Sequence, residues 1–192
     1  MSVVVGVRKE GRLVLAADSL ITFGSARMPE DNLKAEKIRA LGDSLFASAG
    51  WGLYDDIIED HVSQHPEVRL ADEKAIFSFF LGLWRQLHER YSFVNDQPGD
   101  DKDSPFGDLD TTFLIANRGG LFHVGSDMSV TRFRQYYAIG SGGDYALGAL
   151  HVLYRQLDDP AAVARGAVEA AVAFDTKCGG PILVREVECA SS

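Results

Sequence analysis

Apolar residues fall along this chain in two kinds of block: short β-branched runs, and longer stretches with helical spacing. Val3-Val4-Val5-Gly6-Val7 has no polar interruption, which predicts a strand buried on both faces. Arg8-Lys9-Glu10-Gly11 predicts a turn, and Arg12–Asp18 resumes as the second strand of a hairpin. Pro29-Glu30-Asp31-Asn32 marks a loop, and Lys37–Leu41 with Ser44–Ala49 predicts another strand pair around Gly42-Asp43. Two helices follow, at Gly52–Gln64 and Asp72–Tyr91. In the second, Ile76, Phe80, Leu83, Leu87 and Tyr91 recur at helical spacing. Phe77, Phe79 and Leu81 lie off that stripe, which predicts a helix packed on more than one side, as at a subunit contact. Asn95–Asp110 is a loop rich in Asp, Gly and Pro. Strands resume at Thr111–Ala116, Leu121–Val124, Val130–Phe133 and Tyr136–Ile139. Gly142–Tyr154 predicts a helix. Asp159-Pro160 caps another, which runs to about Thr176 and closes at Gly179-Gly180 before a last strand at Ile182–Val187. Strands, two helices, strands, two helices and a strand predict an α+β fold. The architecture expected is a four-layer αββα sandwich, two antiparallel sheets with helices on both outer faces.

Composition narrows the function classes. The 192 residues are 46% hydrophobic and 24% charged, ordinary globular values that exclude a disordered or fibrous chain and fit a single domain over 1–192. The net charge of −9 sets the protein against nucleic acid and anionic membrane surfaces, because phosphates are repelled. Two cysteines, Cys178 and Cys189, make no disulfide framework, and no secretory signal pattern is present. No apolar run reaches the roughly 18 residues of a membrane span; Ala75–Trp84 is interrupted by Ser78 and Gly82. The expectation is a soluble, cytoplasmic protein.

Several chemical motifs have plain structural readings. Gly140-Ser141-Gly142-Gly143 could cradle a phosphate, yet it lacks the Lys-Ser/Thr of a P-loop and reads as a strand-to-helix turn. His61 and His65 have the spacing of helical metal ligands but no third ligand, so a solvated helix face is the reading. Asp100-Asp101-Lys102-Asp103 does not fit an EF-hand and reads as a solvated loop. Cys178, a nucleophile by chemistry, reads as a small buried residue before a Gly-Gly turn. No cofactor or metal is expected. Asp18 and Asp175 are less easily dismissed. Asp18 closes a strand beside a buried one. Asp175 falls on the stripe of Val168, Ala171 and Val172, where an unpaired carboxylate is costly. Lys34 and Lys37 precede a strand and are candidate partners, and Ser2 sits beside the first strand.

Ser2–Ser19 (Ser-Val-Val-Val-Gly-Val-Arg-Lys-Glu-Gly-Arg-Leu-Val-Leu-Ala-Ala-Asp-Ser) resembles the start of mature bacterial proteasome-like peptidases. These are the HslV peptidase and its relatives, including the proteasome homologues Anbu and BPH. Ala138-Ile139-Gly140-Ser141-Gly142-Gly143-Asp144-Tyr145-Ala146 resembles their Gly-Ser-Gly turn, and Asp175-Thr176-Lys177-Cys178-Gly179-Gly180 their Asp-x-x-Ser-Gly-Gly. Phe23-Gly24-Ser25 points to the BPH group. The resemblance implies an N-terminal nucleophile endopeptidase of the threonine/serine type. Ser2, exposed by removal of Met1, attacks a peptide carbonyl, and its own α-amine is the base. An α-amine has an ordinary pKa of roughly 7.7–8.0, suited to that task. By the same resemblance Asp18 pairs Lys37, with Lys34 the alternative lysine. Ser141, Asp175 and Cys178 orient the amine. The Gly50 amide is the oxyanion donor. Thr22, Ser48 and Gly50 line a substrate bound as an added strand. This chain departs from the family at Ser2, where Thr is commoner, at Cys178, which replaces Ser, and in a longer loop before Lys37. Implied partners are unfolded polypeptide, copies of the chain in stacked homo-oligomeric rings, and an ATPase unfoldase. Two other readings stay open: a small-amide amidase on the same fold, and a non-catalytic ring scaffold. Scaffold subunits of the family carry a helix before the first strand, whereas here the strand starts at Val3.

Overall fold

The computed structural model describes residues 2–23, 26–28, 32, 36–91 and 109–188. Met1, Gly24, Ser25, Lys34, Asp100–Asp103 and Cys189 lie outside the described residues, as do most of the Pro29–Asn32 and Asn95–Asp110 loops. Two antiparallel sheets carry the fold. One has four strands in the order β10 (Tyr136–Gly140), β1 (Val3–Lys9), β2 (Arg12–Ala17), β11 (Leu183–Glu188). The other has five, in the order β5 (Ile38–Leu41), β6 (Ser44–Gly50), β7 (Thr111–Asn117), β8 (Gly120–Val124), β9 (Val130–Phe133). The helices are α1 (Leu53–Gln64), α2 (Glu73–Arg90), α3 (Gly143–Gln156) and α4 (Pro160–Phe174).

Alternation along β1 and β2 explains the layers. Val3, Val5, Val7, Val14 and Ala16 pack with Ala146, Leu150, Val163, Ala167 and Val168 of α3 and α4. Val4, Leu13, Leu15 and Ala17 point the other way and meet Ala47, Leu114, Ala116 and Leu121 of the second sheet. The outer face of that sheet, through Phe46, Phe113 and Ile115, packs on Ile57, Ile58, Ile76, Phe80 and Leu83 of α1 and α2. The αββα sandwich expected from the element order is therefore present, with a core in each of its three interlayer spaces.

Where the fold differs from the sequence expectation, local causes account for it. Arg8 and Lys9 belong to β1, because they pair with Leu13 and Arg12. The turn shrinks to Glu10-Gly11, both at positive φ (51° and 73°), the conformation of a two-residue hairpin turn. Helix α4 stops at Phe174, so Asp175 lies past its end rather than on its apolar face. The Asp175 carboxylate takes the Lys177 amide at 3.0 Å, a turn that competes with another helical residue. In α2, Phe79 joins the core at 6% exposure, since it lies three residues from Ile76 and four from Leu83; Phe77 does stand exposed. His61 is not solvated. It is buried between α1 and α2, edge-on to Phe79 and bonded to Gln86 through Nδ1, and burial lowers its pKa. A small hairpin of β3 (Thr22–Phe23) and β4 (Ala26–Arg27) was not predicted, as its four residues are exposed and leave no hydrophobic signature.

Candidate active site

Ser2 precedes β1, Asp18 follows β2, Lys37 precedes β5, and Gly50 and Gly140 end β6 and β10. Asp18 is fully buried, which costs free energy unless its charge is matched. Its Oδ1 accepts from the Val3 amide at 3.0 Å and from Lys37 Nζ at 2.8 Å. Its Oδ2 accepts from the Gly179 amide at 3.1 Å and the Leu20 amide at 3.3 Å. The Lys37 side chain is itself only 12% exposed, so the ion pair crosses from one sheet to the other in a mostly desolvated setting. Through the Val3 amide the same carboxylate fixes the residue that follows Ser2.

Ser2 is 8% exposed, and its carbonyl accepts from the Gly142 amide at 3.4 Å. Gly140 has φ +93°, a left-handed conformation that favours glycine. A Cβ there would overlap the Ser2 carbonyl and come within 3.2 Å of the Ala49 Cβ. Glycine thus lets β10 and the end of β6 close on Ser2. Gly50 is required by contact rather than by φ. A Cβ on it would overlap the Asp110 carbonyl and lie 2.5 Å from Thr111 Oγ1. Two fully buried side-chain oxygens without a hydrogen-bond partner among the described residues belong to this region by position. Ser19 Oγ follows Asp18, and Thr111 Oγ1 faces Gly50.

A second cluster flanks the first. Burial alone would raise the Asp175 carboxyl. Hydrogen bonds from Ser141, the Lys177 amide and Cys178 outweigh burial and hold it below the ordinary aspartate value. Cys178 is 5% exposed and donates to Asp175 Oδ2 at 3.4 Å. Burial, then the Asp18 charge and the Asp175 bond, push its thiol up to about 12. At neutral pH it stays protonated, a packing residue and donor rather than a nucleophile.

Of the residues singled out in the sequence, Asp18 and Lys37 are in direct contact, and Ser141, Asp175 and Cys178 form a linked group. Thr22 is exposed on the β3–β4 hairpin. Ser48 Oγ donates to Asp55 Oδ1 of α1 at 2.5 Å, which leaves its main chain for any contact with a bound strand. The structure adds participants that sequence reasoning did not single out. The Gly179 amide is one, and its signal lay in the Asp-x-x-Cys-Gly-Gly stretch. Arg27 is another, with Nη2 3.1 Å from where a Gly179 Cβ would stand; it belongs to an exposed hairpin and had no signal.

No protein-family model matches this sequence, and no curated protein matches it. Solved structures do. BPH from Thiobacillus denitrificans is 33% identical and superposes with a TM-score of 0.89 over 99% of this chain and 100% of that one. The same protein in complex with epoxomicin gives 33% identity and a TM-score of 0.88 over 98% and 100%. HslV from Trypanosoma brucei is 19% identical, with a TM-score of 0.71 over 97% and 99%, and bears on the fold.

Proposed function

Since the chain belongs to the BPH and HslV family of proteasome homologues, we propose that it is a peptide-bond hydrolase whose nucleophile is Ser2 as the first residue. The observation that carries this reading is the buried Lys37–Asp18 pair bonded to the Val3 amide, directly behind Ser2. That arrangement sets a cation and a fixed backbone beside a serine whose carbonyl is held by Gly142.

The chemistry follows from the residues. With Met1 removed, the Ser2 α-amine is free to accept the hydroxyl proton as Oγ attacks the scissile carbonyl. Negative charge develops on the carbonyl oxygen, and the Gly50 amide at the end of β6 is the donor for it. Collapse returns the proton to the leaving amine and leaves an ester on Ser2 Oγ. Water, deprotonated by the same amine, hydrolyses that ester. Lys37 favours the oxyanionic form of the nucleophile by charge, and Asp18 keeps Lys37 in place. Ser141 and Asp175 orient the terminal amine, with Cys178 as a weaker donor behind them. Thr22 and the main chain of Ser48 and Gly50 flank an extended substrate.

The proposal extends to organisation. One domain over 1–192 assembles into stacked rings that admit unfolded polypeptide in the cytoplasm, with an ATPase unfoldase as the partner class. Exposed aromatic surface supports assembly: Tyr145 and Phe174 stack at 5.7 Å on the outer helices, with Phe174 71% exposed. No described helix is long and apolar enough to cross a membrane. The test is Ser2→Ala. Peptide hydrolysis should vanish while assembly is retained. Hydrolysis surviving in the purified variant at the wild-type rate contradicts the assignment.

A further inference from the structure

A cavity of about 360 Å³ opens between β5 and α1. Phe46 and Ile58 give it an apolar floor, and among the described residues its charged lining is Glu36, Arg39, Asp55 and Glu59. Asp55 and Glu59 against the Arg39 guanidinium leave a formal charge of 1 − 2 = −1. The cavity lining neighbours the proposed site along the chain at two points. Glu36 directly precedes Lys37, and Asp55 is held by Ser48, two residues before Gly50 on β6. A polar track on that face of the sheet therefore leads from Thr111, whose buried hydroxyl has no partner among the described residues, past Ser48 and Asp55 to the cavity.

Arg39 does not close the charge balance. Its guanidinium stands 3.4 Å from Glu59 and 3.9 Å from Asp55, and its remaining bonds go to the carbonyls of Glu36 and Asp55 at 3.4 Å. Close charge-assisted pairs sit at roughly 2.7–2.9 Å, so Asp55 and Glu59 keep capacity for a second cation.

We infer that this cavity receives a basic side chain, lysine or arginine, from the residue that supplies the scissile carbonyl. The inference rests on the hydrolase reading and names the substrate preference of that site. The methylenes of such a side chain lie on Phe46 and Ile58 while its charged head reaches Asp55 and Glu59, the usual division for long cationic residues. A glutamate in the same place meets net negative charge. An apolar side chain desolvates carboxylates and returns nothing to them.

The test uses one labelled peptide in four forms, with lysine, arginine, norleucine or glutamate at the varied position. Binding is read by fluorescence anisotropy on the full chain carrying Ser2→Ala, and hydrolysis on the wild-type chain. The lysine and arginine forms should bind about tenfold tighter than the other two. In the same background, Glu59→Lys should cut that ratio by about tenfold and Arg39→Ala should raise it by about threefold. Equal binding of the lysine and norleucine forms overturns the assignment. So does a glutamate preference that Arg39→Ala abolishes, or a lysine preference untouched by both Glu59→Lys and Asp55→Asn. A lysine preference in binding with no wild-type hydrolysis of any form sinks the hydrolase reading and leaves the cavity assignment standing. Hydrolysis of all four forms at one rate does the reverse.

Discussion

Asp18 shows how one buried side chain can join several parts of a site. Four hydrogen bonds converge on it, three from backbone amides and one from Lys37. Removing the lysine leaves a buried carboxylate without its cation, and breaking such pairs typically costs about 3–5 kcal/mol. Lys37→Ala should therefore lose hydrolysis and about 3 kcal/mol of stability by chemical denaturation, the lower end because three amides remain. Lys34→Ala should lose neither, and the opposite pattern would reassign the lysine. Cys178 gives an independent check. In a Cys189→Ser chain, iodoacetamide at pH 8 should leave Cys178 unmodified while folded and label it once unfolded. The folded thiol titrates near 12 and the unfolded one in the ordinary thiol range. The benefit of keeping it neutral is thus complete below that range and fades as pH climbs towards 12. Cys178→Ala should make the alkaline loss of stability shallower. Asp18 was legible because a carboxylate closing a buried strand needs partners, whereas Asp175 was singled out on a helical stripe that it does not join. Strand parity places Ser48 with Phe46, on the side of the helices, and there its hydroxyl meets Asp55.

Strand ends and turns do the positioning, and here single glycines matter most. Gly140→Ala would force a Cβ against the Ser2 carbonyl at a φ of +93°. Hydrolysis should fall at least a hundredfold, with a stability loss of about 1–3 kcal/mol from the strained backbone. Near-normal rates in that variant would show that the close approach of β10 to Ser2 is dispensable. The long elements were legible because their apolar spacing is set by the layers they join: the run at Val3–Val7 is apolar on both sides since both sides are core. The Asp159 cap of α4 was also legible, and its carboxylate does accept from the amides of Ala161 and Ala162. The end of α4 was misjudged because Asp175 continues the helical stripe in sequence while its side chain closes a turn. His61 could not be placed from spacing alone, since the α1–α2 contact that buries it joins residues far apart in the chain.

The two sheets and their helical covers bring Ser2, Asp18, Lys37 and Gly50, contributed by both sheets, into one candidate site. That layering was readable from element order. The β3–β4 hairpin and the contacts of Arg27 were not, because exposed residues carry no burial pattern. Under the proposed mechanism the base exists only if Ser2 is first, so chemistry and folding are separable. An N-terminal extension turns the amine into a non-basic amide but leaves the core strands, Lys37 and Asp175 untouched. The most direct measurement compares peptide hydrolysis by the chain trimmed to Ser2 with the same chain bearing an uncleavable N-terminal tag. Tag retention is verified by mass spectrometry and assembly by light scattering. Both forms should scatter as the same ring-sized oligomer, and only the trimmed one should hydrolyse peptide. An intact tagged protein that cleaves as fast as the trimmed one would contradict the free-amine mechanism.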